Sequence, residues 1–342
     1  MPGTILVTGG TGYIGAHTVV KLLDAGFPVV VLDNLCNSSR TVIDRIQKIT
    51  GKPLCFVEGD VRDRHLLQNT LQRHSVSAVI HFAGLKAVAE SEAEPLTYYD
   101  NNVSGSLILF EEMARAGIHT AVFSSSATVY GESGSAKYGE KYCEDRPLAP
   151  VSVYGKTKLM VENILRDLKK AQPQWRIALL RYFNPAGAHH SGLIGEDPSG
   201  VPNNLMPFVA QVAVGKRESL SVFGNDYPTP DGTGLRDYIH VEDLASGHLA
   251  ALNVLNQKSS LITLNLGTGR PVSVLEMIAA FEKASGRKIP WQTAPRRAGD
   301  IAACFADPTR AQEILGWKAT LDIDRMCQDA WRWQRNHPEG YC

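Results

Sequence analysis

The chain has 342 residues, of which 44% are hydrophobic, and its 35 basic side chains balance its 35 acidic ones. A neutral chain has no basic field to attract nucleic acid or an anionic membrane, so both kinds of partner are excluded. The N-terminus shows no basic segment followed by an apolar run, and no apolar stretch approaches about 18 residues, so we expect a soluble, unexported, cytoplasmic protein.

Cysteine and histidine spacing gives no metal or disulfide framework. The cysteines are scattered rather than closely paired, which predicts reduced thiols. They are Cys36, Cys55, Cys143, Cys304, Cys327 and Cys342. His189 and His190 are adjacent, but neighbouring histidines rarely converge on one ion without further ligands, so we predict no metal site.

The first predicted strand, at residues 4–8, runs directly into a glycine-rich turn. Gly9, Gly12 and Gly15 are spaced Gly-x-x-Gly-x-x-Gly, and residues 16–25 follow with a helical apolar face. Glycines in such a turn let the backbone approach a pyrophosphate, and the helix N-terminus adds free amides and the positive end of its dipole. The segment predicts a dinucleotide site.

The second predicted strand, at residues 29–32, ends at Asp33 about twenty residues beyond the glycines. A carboxylate in this position hydrogen-bonds the ribose hydroxyls and repels a 2′-phosphate, which favours NAD over NADP. The alternative for Asp33 is an ordinary turn residue at the end of a strand. A third strand, at residues 54–57, brings Asp60 to the position from which an adenine edge is read.

The next predicted elements lead to a run of three serines. Strand 78–82 contains His81, which we interpret as a core histidine, and a long helix covers the region of residues 101–113. A fifth strand at residues 120–123 then delivers Ser124, Ser125 and Ser126 to the carboxyl edge of the sheet. Doubly wound folds bind their ligands at that edge.

Tyr154 and Lys158 follow a Gly- and Pro-rich loop and share one face of a predicted helix, because they are four residues apart. A free tyrosine has a pKa of ~10, and it becomes a useful base only if that pKa is lowered by about three units, roughly 4 kcal/mol. An ammonium ~4 Å away supplies about that much at an effective dielectric near 20. We therefore predict that Lys158 lowers the pKa of Tyr154.

The alternation of strands and helices continues to strand 177–181 and defines the fold class. We predict an α/β fold with a doubly wound parallel Rossmann sheet and a smaller mixed α/β lobe. Residues 1–184 form the predicted NAD-binding domain and 185–342 the substrate-binding lobe, with segments near 234–260 returning to the first domain. In the second half we predict a long loop at 189–204, a helix from 205, strands 220–223 and 262–266, and a helix at 274–281. Trp331 and Trp333 are predicted to pack on the surface.

Arg236 and Arg297 are sixty residues apart, yet both lie in loop-like segments beside acids, Asp237 and Asp300. A fork of two guanidiniums suits the diphosphate of a substrate. The alternative is two separate ion pairs on the surface.

The segments 8–15, 31–38, 81–88, 124–131, 180–185 and 202–207 together resemble the UDP-glucose 4-epimerase family of extended short-chain dehydrogenase/reductases. The similarity covers nearly the whole chain, and the ordered set is more specific than any single motif. It implies catalytic roles for Ser126, Tyr154 and Lys158. It implies NAD contacts at Gly9, Gly12, Tyr13, Ile14, Gly15, Asp33, Asn34, Asn37, Ser38, Asp60, Val61, Phe82, Ala83, Gly84, Lys86, Asn101, Ser124, Tyr154, Lys158 and Phe183. It implies UDP-sugar contacts at Lys86, Ala87, Val88, Ser124, Ser125, Ser126, Tyr182, Phe183, Asn184, Asn203, Asn204, Leu205, Ser221, Val222, Phe223, Arg236, Arg297, Asp300 and Cys304.

The resemblance also implies a mechanism and an assembly. Tyr154 takes the proton of the sugar's 4-hydroxyl while carbon 4 is oxidised with NAD, and Ser126 bridges the oxygen to the phenol. The 4-keto sugar rotates within the site and is then reduced on its opposite face. The reaction therefore causes no net redox change. Family members are usually homodimers built through helices of the NAD domain.

One departure from the family pattern bears on the substrate. Many relatives have a large tyrosine at the position of Cys304, whereas a small residue leaves room for a 2-acetamido group. Cys304 therefore predicts that UDP-N-acetylglucosamine and UDP-N-acetylgalactosamine are also interconverted. A second departure, Val153 in place of a proline, is expected to leave activity intact.

Two other readings of the sequence remain open. A nucleotide-sugar 4,6-dehydratase needs an acid and a base beside the serine run, where this chain has Ala127 and Val129. A non-catalytic dinucleotide sensor would have no reason to keep Ser126, Tyr154 and Lys158 together.

Overall fold

The computed structural model describes residues 2–131, 140–198, 200, 202, 204–257, 260–297 and 300–341. Its strands are β1 (Thr4–Thr8), β2 (Val29–Asp33), β3 (Cys55–Glu58), β4 (Val76–His81), β5 (Thr120–Ser126), β6 (Arg176–Tyr182), β7 (Asn184–Ala186), β8 (Leu220–Phe223), β9 (Leu235–His240), β10 (Leu261–Leu266), β11 (Pro271–Ser273), β12 (Trp291–Ala294) and β13 (Ala303–Cys304).

The helices lie between these strands in alternation through the first half of the chain. They are α1 (Tyr13–Asp24), α2 (Thr41–Thr50), α3 (Arg64–Arg73), α4 (Val88–Ala93), α5 (Pro95–Tyr98), α6 (Gly105–Arg115), α7 (Val153–Ala171), α8 (Leu205–Ala213), α9 (Val241–Gln257), α10 (Val274–Ser285), α11 (Thr309–Leu315) and α12 (Ile323–Asn336). A π-helical turn covers Tyr99–Ser104, and a 3₁₀ turn covers Ala127–Val129.

The large sheet has seven parallel strands in the order β10-β6-β5-β4-β1-β2-β3. The chain winds outward in one direction from β1 through β2 and β3, and in the other from β4. The crevice beyond the carboxyl ends of β1 and β4 is therefore the topological switch point at which such sheets bind ligands. This order confirms the predicted doubly wound Rossmann fold.

Both faces of the sheet are covered, which explains why its strands are apolar along their whole length. Val7, Val31 and Ile80 belong to a core shared with α1, α2 and α9. Leu6 and Val79 belong to the opposite core, shared with α3, α6 and α7. The alternation of neighbouring residues between the two cores follows from the two-residue period of a strand.

A smaller mixed α/β lobe is built from the second half of the chain. Strands β7, β11 and β13 pair with β9, and β8 pairs with β12. Helices α8, α10 and α12 pack together over a separate core that includes Met277 and Phe281. Two elements from this half join the first layer instead, since α9 packs on α1 and β10 extends the large sheet beside β6.

Several boundaries differ from the predicted ones. Helix α1 begins at Tyr13 rather than at residue 16, so Gly15 lies inside the helix. The single long helix predicted near residues 101–113 is divided into the π-helical turn and α6. Within the described part of the chain, no helix combines the length and the apolar character that a membrane crossing requires.

Candidate active site

The glycine turn between β1 and α1 requires its glycines for close approach. Gly9 has a φ of +70°, and a Cβ added there would lie 2.6 Å from the backbone nitrogen of Ala83. A Cβ on Gly15 would lie 2.2 Å from the carbonyl oxygen of Gly9. Gly12, the N-cap of α1, has no side chain with which to cap the first helical turn. The turn thus presents backbone amides to a phosphate-sized anion.

Asp33 ends β2 beside this turn and is held in place by three donors. Its carboxylate accepts hydrogen bonds from the Thr11 amide (3.1 Å), the Leu35 amide (2.9 Å) and the Ser38 hydroxyl (3.1 Å). The side chain is 8% exposed and lines the adjoining cavity. This placement fits a carboxylate that receives ribose hydroxyls.

The turn, Asp33 and the serine run surround one cavity of about 450 Å³. The predicted site residues that line it are Gly9, Gly12, Tyr13, Ile14, Gly15, Asp33, Asn34, Asn37, Ser38, Val61, Phe82, Ala83, Gly84, Lys86, Val88, Asn101, Ser124, Ser126, Tyr154, Lys158, Tyr182, Phe183, Asn184 and Asn204. The elements that carry them span β1 to α8, so the structure brings together residues almost 200 positions apart.

Some predicted residues are not part of this lining as the structure describes it. They are Asp60, Ala87, Ser125, Leu205, Ser221, Val222, Phe223, Arg236, Arg297, Asp300 and Cys304. Asp60 lies next to the cavity between Gly59 and Val61, and the Arg62 side chain beside it holds its pKa at about 2. Ala87 is tied through its amide to the Tyr98 hydroxyl. Asn203 lies outside the described residues.

Tyr154 and Lys158 lie on the first turns of α7, which Ser152 caps by accepting a hydrogen bond from the Gly155 amide. The Lys158 Nζ atom lies 5.8 Å from the centre of the Tyr154 ring and donates a hydrogen bond to the carbonyl of Ser124 at 2.8 Å. Tyr154 and Lys158 therefore lie on one face of α7, as predicted, and both line the cavity.

The prediction that the pKa of Tyr154 is lowered is wrong for this structure. Burial raises the pKa of Tyr154 to about 12, and the Ser126 hydroxyl offsets only part of that rise. Burial also lowers the pKa of Lys158 to about 8. Desolvation disfavours the charged form of each group, and it outweighs the Coulomb attraction on which the prediction was based.

Glu162 is a site-organising residue that the sequence analysis missed. It lies one and two turns beyond Lys158 and Tyr154 on the same face of α7, is fully buried, and accepts hydrogen bonds from Ser125 (2.6 Å) and Arg181 (2.7 and 2.9 Å). Burial alone would raise the pKa of Glu162, but these donors lower it overall. The four-residue spacing from Lys158 was the available signal. The Ser125 hydroxyl is therefore directed to Glu162 in the protein interior and not into the cavity.

Asn102 is a second missed residue, and it depends on the π-helical turn. Its side chain accepts a hydrogen bond from the Leu85 amide at 2.8 Å and donates to the Leu85 carbonyl and the Thr157 hydroxyl. This ties the loop carrying Gly84 and Lys86 to α7. The π geometry places Asn101 beside Asn102 so that Asn101 faces the cavity, consistent with the frequent occurrence of π turns at functional sites.

Arg236 and Arg297 meet at one carboxylate. The Asp300 side chain lies 3.7 Å from a terminal nitrogen of Arg236 and accepts a hydrogen bond from Arg297 at 2.9 Å. Arg236 belongs to β9, so its predicted loop context is wrong. Asp237 is not its partner, because that carboxylate is buried and accepts from Thr268, Gly269 and Ala306. Two guanidiniums nevertheless converge, as a diphosphate clamp would require.

Two other residues predicted for the substrate, Phe223 and Cys304, lie beside this clamp in the smaller lobe. Phe223 lies beneath Arg297, whose guanidinium carbon is 4.7 Å from the ring centre. Val222 points into the core of the lobe, so only its backbone faces outward. Cys304 pairs in register with Arg236 and packs in the cluster that contains Phe183. These residues form a second part of the candidate site, adjacent to the first.

Residues 195–198 form a wall of the cavity that the sequence analysis treated only as part of a long loop. Glu196 accepts hydrogen bonds from Lys86 (3.3 Å) and Asn204 (2.9 Å), both of which are predicted site residues. The C-terminal Tyr341 also lines the cavity. No local signal in the sequence joins these distant segments.

His189 and His190 come close to Glu242, a third potential ligand that the sequence analysis did not foresee. The Glu242 carboxylate already accepts a hydrogen bond from Lys21 at 2.9 Å and hydrogen-bonds the His190 ring at 3.0 Å. Its charge is thus paired within the protein, and we assign no ion to this cluster. His81, by contrast, is the predicted core histidine: it is buried between Thr8 and Ser106, and burial lowers its pKa to about 3.

A glycine cradle, a carboxylate at the end of β2, and a buried Tyr/Lys pair beside a serine together define a dinucleotide-dependent enzyme of the Rossmann class. The chain matches the NAD dependent epimerase/dehydratase family over residues 5–267, and it belongs to that family. It is 58% identical to the UDP-glucose 4-epimerases of Neisseria meningitidis serogroup C and of Bacillus subtilis, with 98% of each chain covered. The crystal structure of UDP-glucose 4-epimerase from Bifidobacterium longum in complex with NAD+ and UDP superposes with a TM-score of 0.94 at 51% identity, covering 98% of this chain and 99% of that one.

Proposed function

We propose that the protein is a UDP-glucose 4-epimerase, an isomerase that interconverts UDP-glucose and UDP-galactose with NAD as its cofactor. The observation that carries this proposal is that Tyr154, Lys158 and Ser126 line the same cavity as the glycine cradle. The near full-length similarity to enzymes of that name supports the same activity. UDP-hexoses are the substrates.

The described residues fit an NAD molecule. Gly9 and Gly15 let the turn pack closely against its own backbone, since a Cβ at either position would clash there, and the turn presents its amides to a pyrophosphate. Asp33 is held by the Thr11 amide in a position suited to ribose hydroxyls. Bound NAD supplies the reversible oxidation at carbon 4 of the sugar and, when oxidised, a positive charge that favours the phenolate. We assign residues 1–184 to NAD and 185–342 mainly to the UDP-sugar.

The protein's own groups move the proton. Tyr154 accepts the proton of the 4-hydroxyl, and Ser126 hydrogen-bonds the same oxygen and the phenol. Lys158, anchored to the Ser124 carbonyl at 2.8 Å, supplies the adjacent positive charge. Carbon 4 becomes a ketone, and the proton returns from Tyr154 when the ketone is reduced again.

Inversion requires that the sugar turn while the nucleotide stays bound. Arg236 and Arg297 hold the diphosphate, and their shared partner Asp300 keeps both guanidiniums oriented. Phe223, exposed beside them, offers an apolar face to the uracil ring. The keto sugar then presents its opposite face to the same Tyr154.

The test is incubation of the purified protein with UDP-galactose without added cofactor, followed by identification of the product. UDP-glucose is expected from the wild type, and replacement of Tyr154 by Phe should reduce the rate at least ~10²-fold because a proton-transfer group is lost. The NAD content and thermal unfolding of the variant serve as controls. Full activity in a folded, NAD-loaded Tyr154→Phe variant would refute the mechanism.

The same experiment separates epimerisation from 4,6-dehydration. A dehydratase needs carboxyl groups beside the serine run, but the neighbouring residues are Ala127 and Val129, and Val129 is fully buried. Release of a 4-keto-6-deoxy sugar would favour the dehydratase, whereas a hexose of unchanged composition favours the epimerase.

We propose that the N-acetylated pair, UDP-N-acetylglucosamine and UDP-N-acetylgalactosamine, is also interconverted. Support comes from the small side chain of Cys304, which packs in the cluster containing Phe183, a residue on the cavity lining. Replacing Cys304 with Tyr should reduce activity on the N-acetyl pair at least about tenfold and spare the hexose pair. Equal activity of the variant on both pairs would contradict this assignment.

We also propose a cytoplasmic homodimer formed through α4, α5, α6 and α7. These adjacent helices expose Val88, Leu96, Leu107 and Met160, and Leu96 is 80% exposed. Light scattering should give twice the mass of the chain, and Leu96→Asp with Met160→Glu should reduce it to the monomer. Ile314→Glu, at an exposed apolar position on α11, is the matched control. A wild-type monomer would exclude the dimer.

A further inference from the structure

The cavity wall formed by residues 195–198 is held in place by the C-terminal tail. The Tyr341 hydroxyl donates a hydrogen bond to the Gly195 carbonyl at 3.0 Å and accepts one from the Gly195 amide at 3.1 Å. The Tyr341 amide donates to the Asp197 carboxylate at 2.9 Å. One residue near the end of the chain therefore makes three hydrogen bonds to two residues of the wall.

An aromatic pair and an arginine hold Tyr341 in this position. The Arg45 guanidinium lies over the rings of Tyr341 (4.8 Å) and Trp333 (5.4 Å) and donates a hydrogen bond to the Leu193 carbonyl at 3.0 Å. Trp333 donates to the carbonyl of Glu196 at 3.2 Å. The wall is thus bound to α2 and α12 through side chains that do not take part in the proposed chemistry.

Two glycines permit the close contact. A Cβ on Gly195 would lie 2.4 Å from the Trp333 ring, and a Cβ on Gly340 would lie 2.1 Å from the Asp197 carboxylate. Gly340 also has a φ of +82°, a conformation that other residues rarely adopt. The tail turns sharply and seats Tyr341 against the wall.

On its inner side, the wall faces two elements of the proposed cofactor site, which are the loop carrying Lys86 and the first turn of α1. Glu196 accepts a hydrogen bond from Lys86 across the cavity, and Tyr13, in the first turn of α1, lies close enough to Glu196 and Tyr341 for both to raise its pKa in addition to the main effect of burial. Opening the wall would therefore uncover the helix N-terminus and the Lys86 loop together.

We propose that Tyr341 is a latch that keeps residues 195–198 closed over the cavity and so sets the rate at which NAD leaves. This inference rests on the proposed function, which provides the NAD. Tyr341 acts as a positioning residue, because its hydroxyl and amide bind the wall rather than the reacting atoms. Retention suits an epimerase, since its cofactor is regenerated in each turnover and need not dissociate.

The test uses the holoenzyme and measures exchange of its bound NAD with isotopically labelled NAD in excess. Tyr341→Phe keeps the ring between Arg45 and Trp333 but removes the hydroxyl, so exchange should be about tenfold faster, the effect of a lost hydrogen bond pair. Tyr227→Phe is the matched control, because the buried Tyr227 hydroxyl has no hydrogen-bond partner among the described residues. Its exchange rate should equal that of the wild type.

A second measurement separates the latch from general stability. Nucleotide-free Tyr341→Phe should lose no more than about 1.4 kcal/mol of stability in thermal unfolding, the equivalent of a tenfold faster exchange, whereas a larger loss would attribute the faster exchange to general destabilisation. Unchanged exchange in both Tyr341→Phe and Tyr341→Ala would overturn the latch and leave the proposed function standing. A wild type that contains no NAD and takes up none would overturn both.

Discussion

Replacing Lys158 with Met tests how much the burial of the Lys158 ammonium costs in protein stability. Lys158 is 6% exposed, and burial lowers its pKa from the ordinary value of 10.5 to about 8. Because each pKa unit corresponds to about 1.4 kcal/mol, keeping the ammonium charged in the native site costs about 3 kcal/mol at neutral pH. Met has a side chain of similar length and removes the ammonium, whose nitrogen lies 5.0 Å from the centre of the Phe123 ring.

The sign of the pH dependence follows from the two pKa values. Below about pH 8 the lysine is charged in the folded and the unfolded chain, so the cost is fully present. As pH rises from about 8 towards 10.5, the native lysine loses its proton before the unfolded one, and wild-type stability increases. The stability of Lys158→Met relative to the wild type should therefore fall by about 2 kcal/mol between pH 7 and pH 9.5.

This difference is independent of the other effect of the substitution. Loss of the hydrogen bond to the Ser124 carbonyl costs about 1–3 kcal/mol, but that cost is the same at both pH values. Urea unfolding of nucleotide-free protein at several pH values measures the difference. Lys156→Met, at an exposed position on the same helix, is the control and should show no such trend. The reasoning would be refuted if the stability of Lys158→Met relative to the wild type did not change with pH, or if it rose with pH.

Two further predictions concern Glu162 and Asp33. Glu162→Gln should destabilise the protein by about 3–5 kcal/mol in urea unfolding, because the buried Arg181 loses its counter-charge; a loss below 1 kcal/mol would show that the pair is not electrostatically coupled. Asp33→Ser should shift the ratio of NADP to NAD affinity at least about tenfold towards NADP, equivalent to about 1.4 kcal/mol. Isothermal titration with both nucleotides measures the ratio, and an unchanged ratio would contradict the proposed ribose contact.

The parallel sheet was predictable because its signals are local. Each buried strand is a short apolar run, the glycine turn directly follows β1, and Asp33 is the last residue of β2. The topology then brings the carboxyl ends of β1, β4 and β5 to one edge whatever the lengths of the connections. For this reason Ser124, Ser126 and Tyr154 were placed at the cavity from the sequence.

The π-helical turn at Tyr99–Ser104 was not predictable from periodicity. Its residues have low helix propensity, which does not distinguish a π turn from a loop or a frayed helix. The wider turn is stabilised by contacts of Asn102 with Leu85 and Thr157, which come from other parts of the chain. Trp333 was predicted to lie on the surface, but it is 3% exposed because the wall and Tyr341 cover it. Long-range contacts of this kind leave no local pattern.

The pair of pKa values shows why helical spacing alone does not define a catalytic base. Spacing places the Lys158 ammonium near the Tyr154 phenol, but removing water from both disfavours phenolate and ammonium alike, and the pKa of Tyr154 is about 12 while that of Lys158 is about 8. Burial therefore favours the neutral form of both side chains. Further positive charge and hydrogen-bond donors are needed to favour the phenolate, so we propose that proton transfer by Tyr154 is coupled to the binding of NAD and substrate.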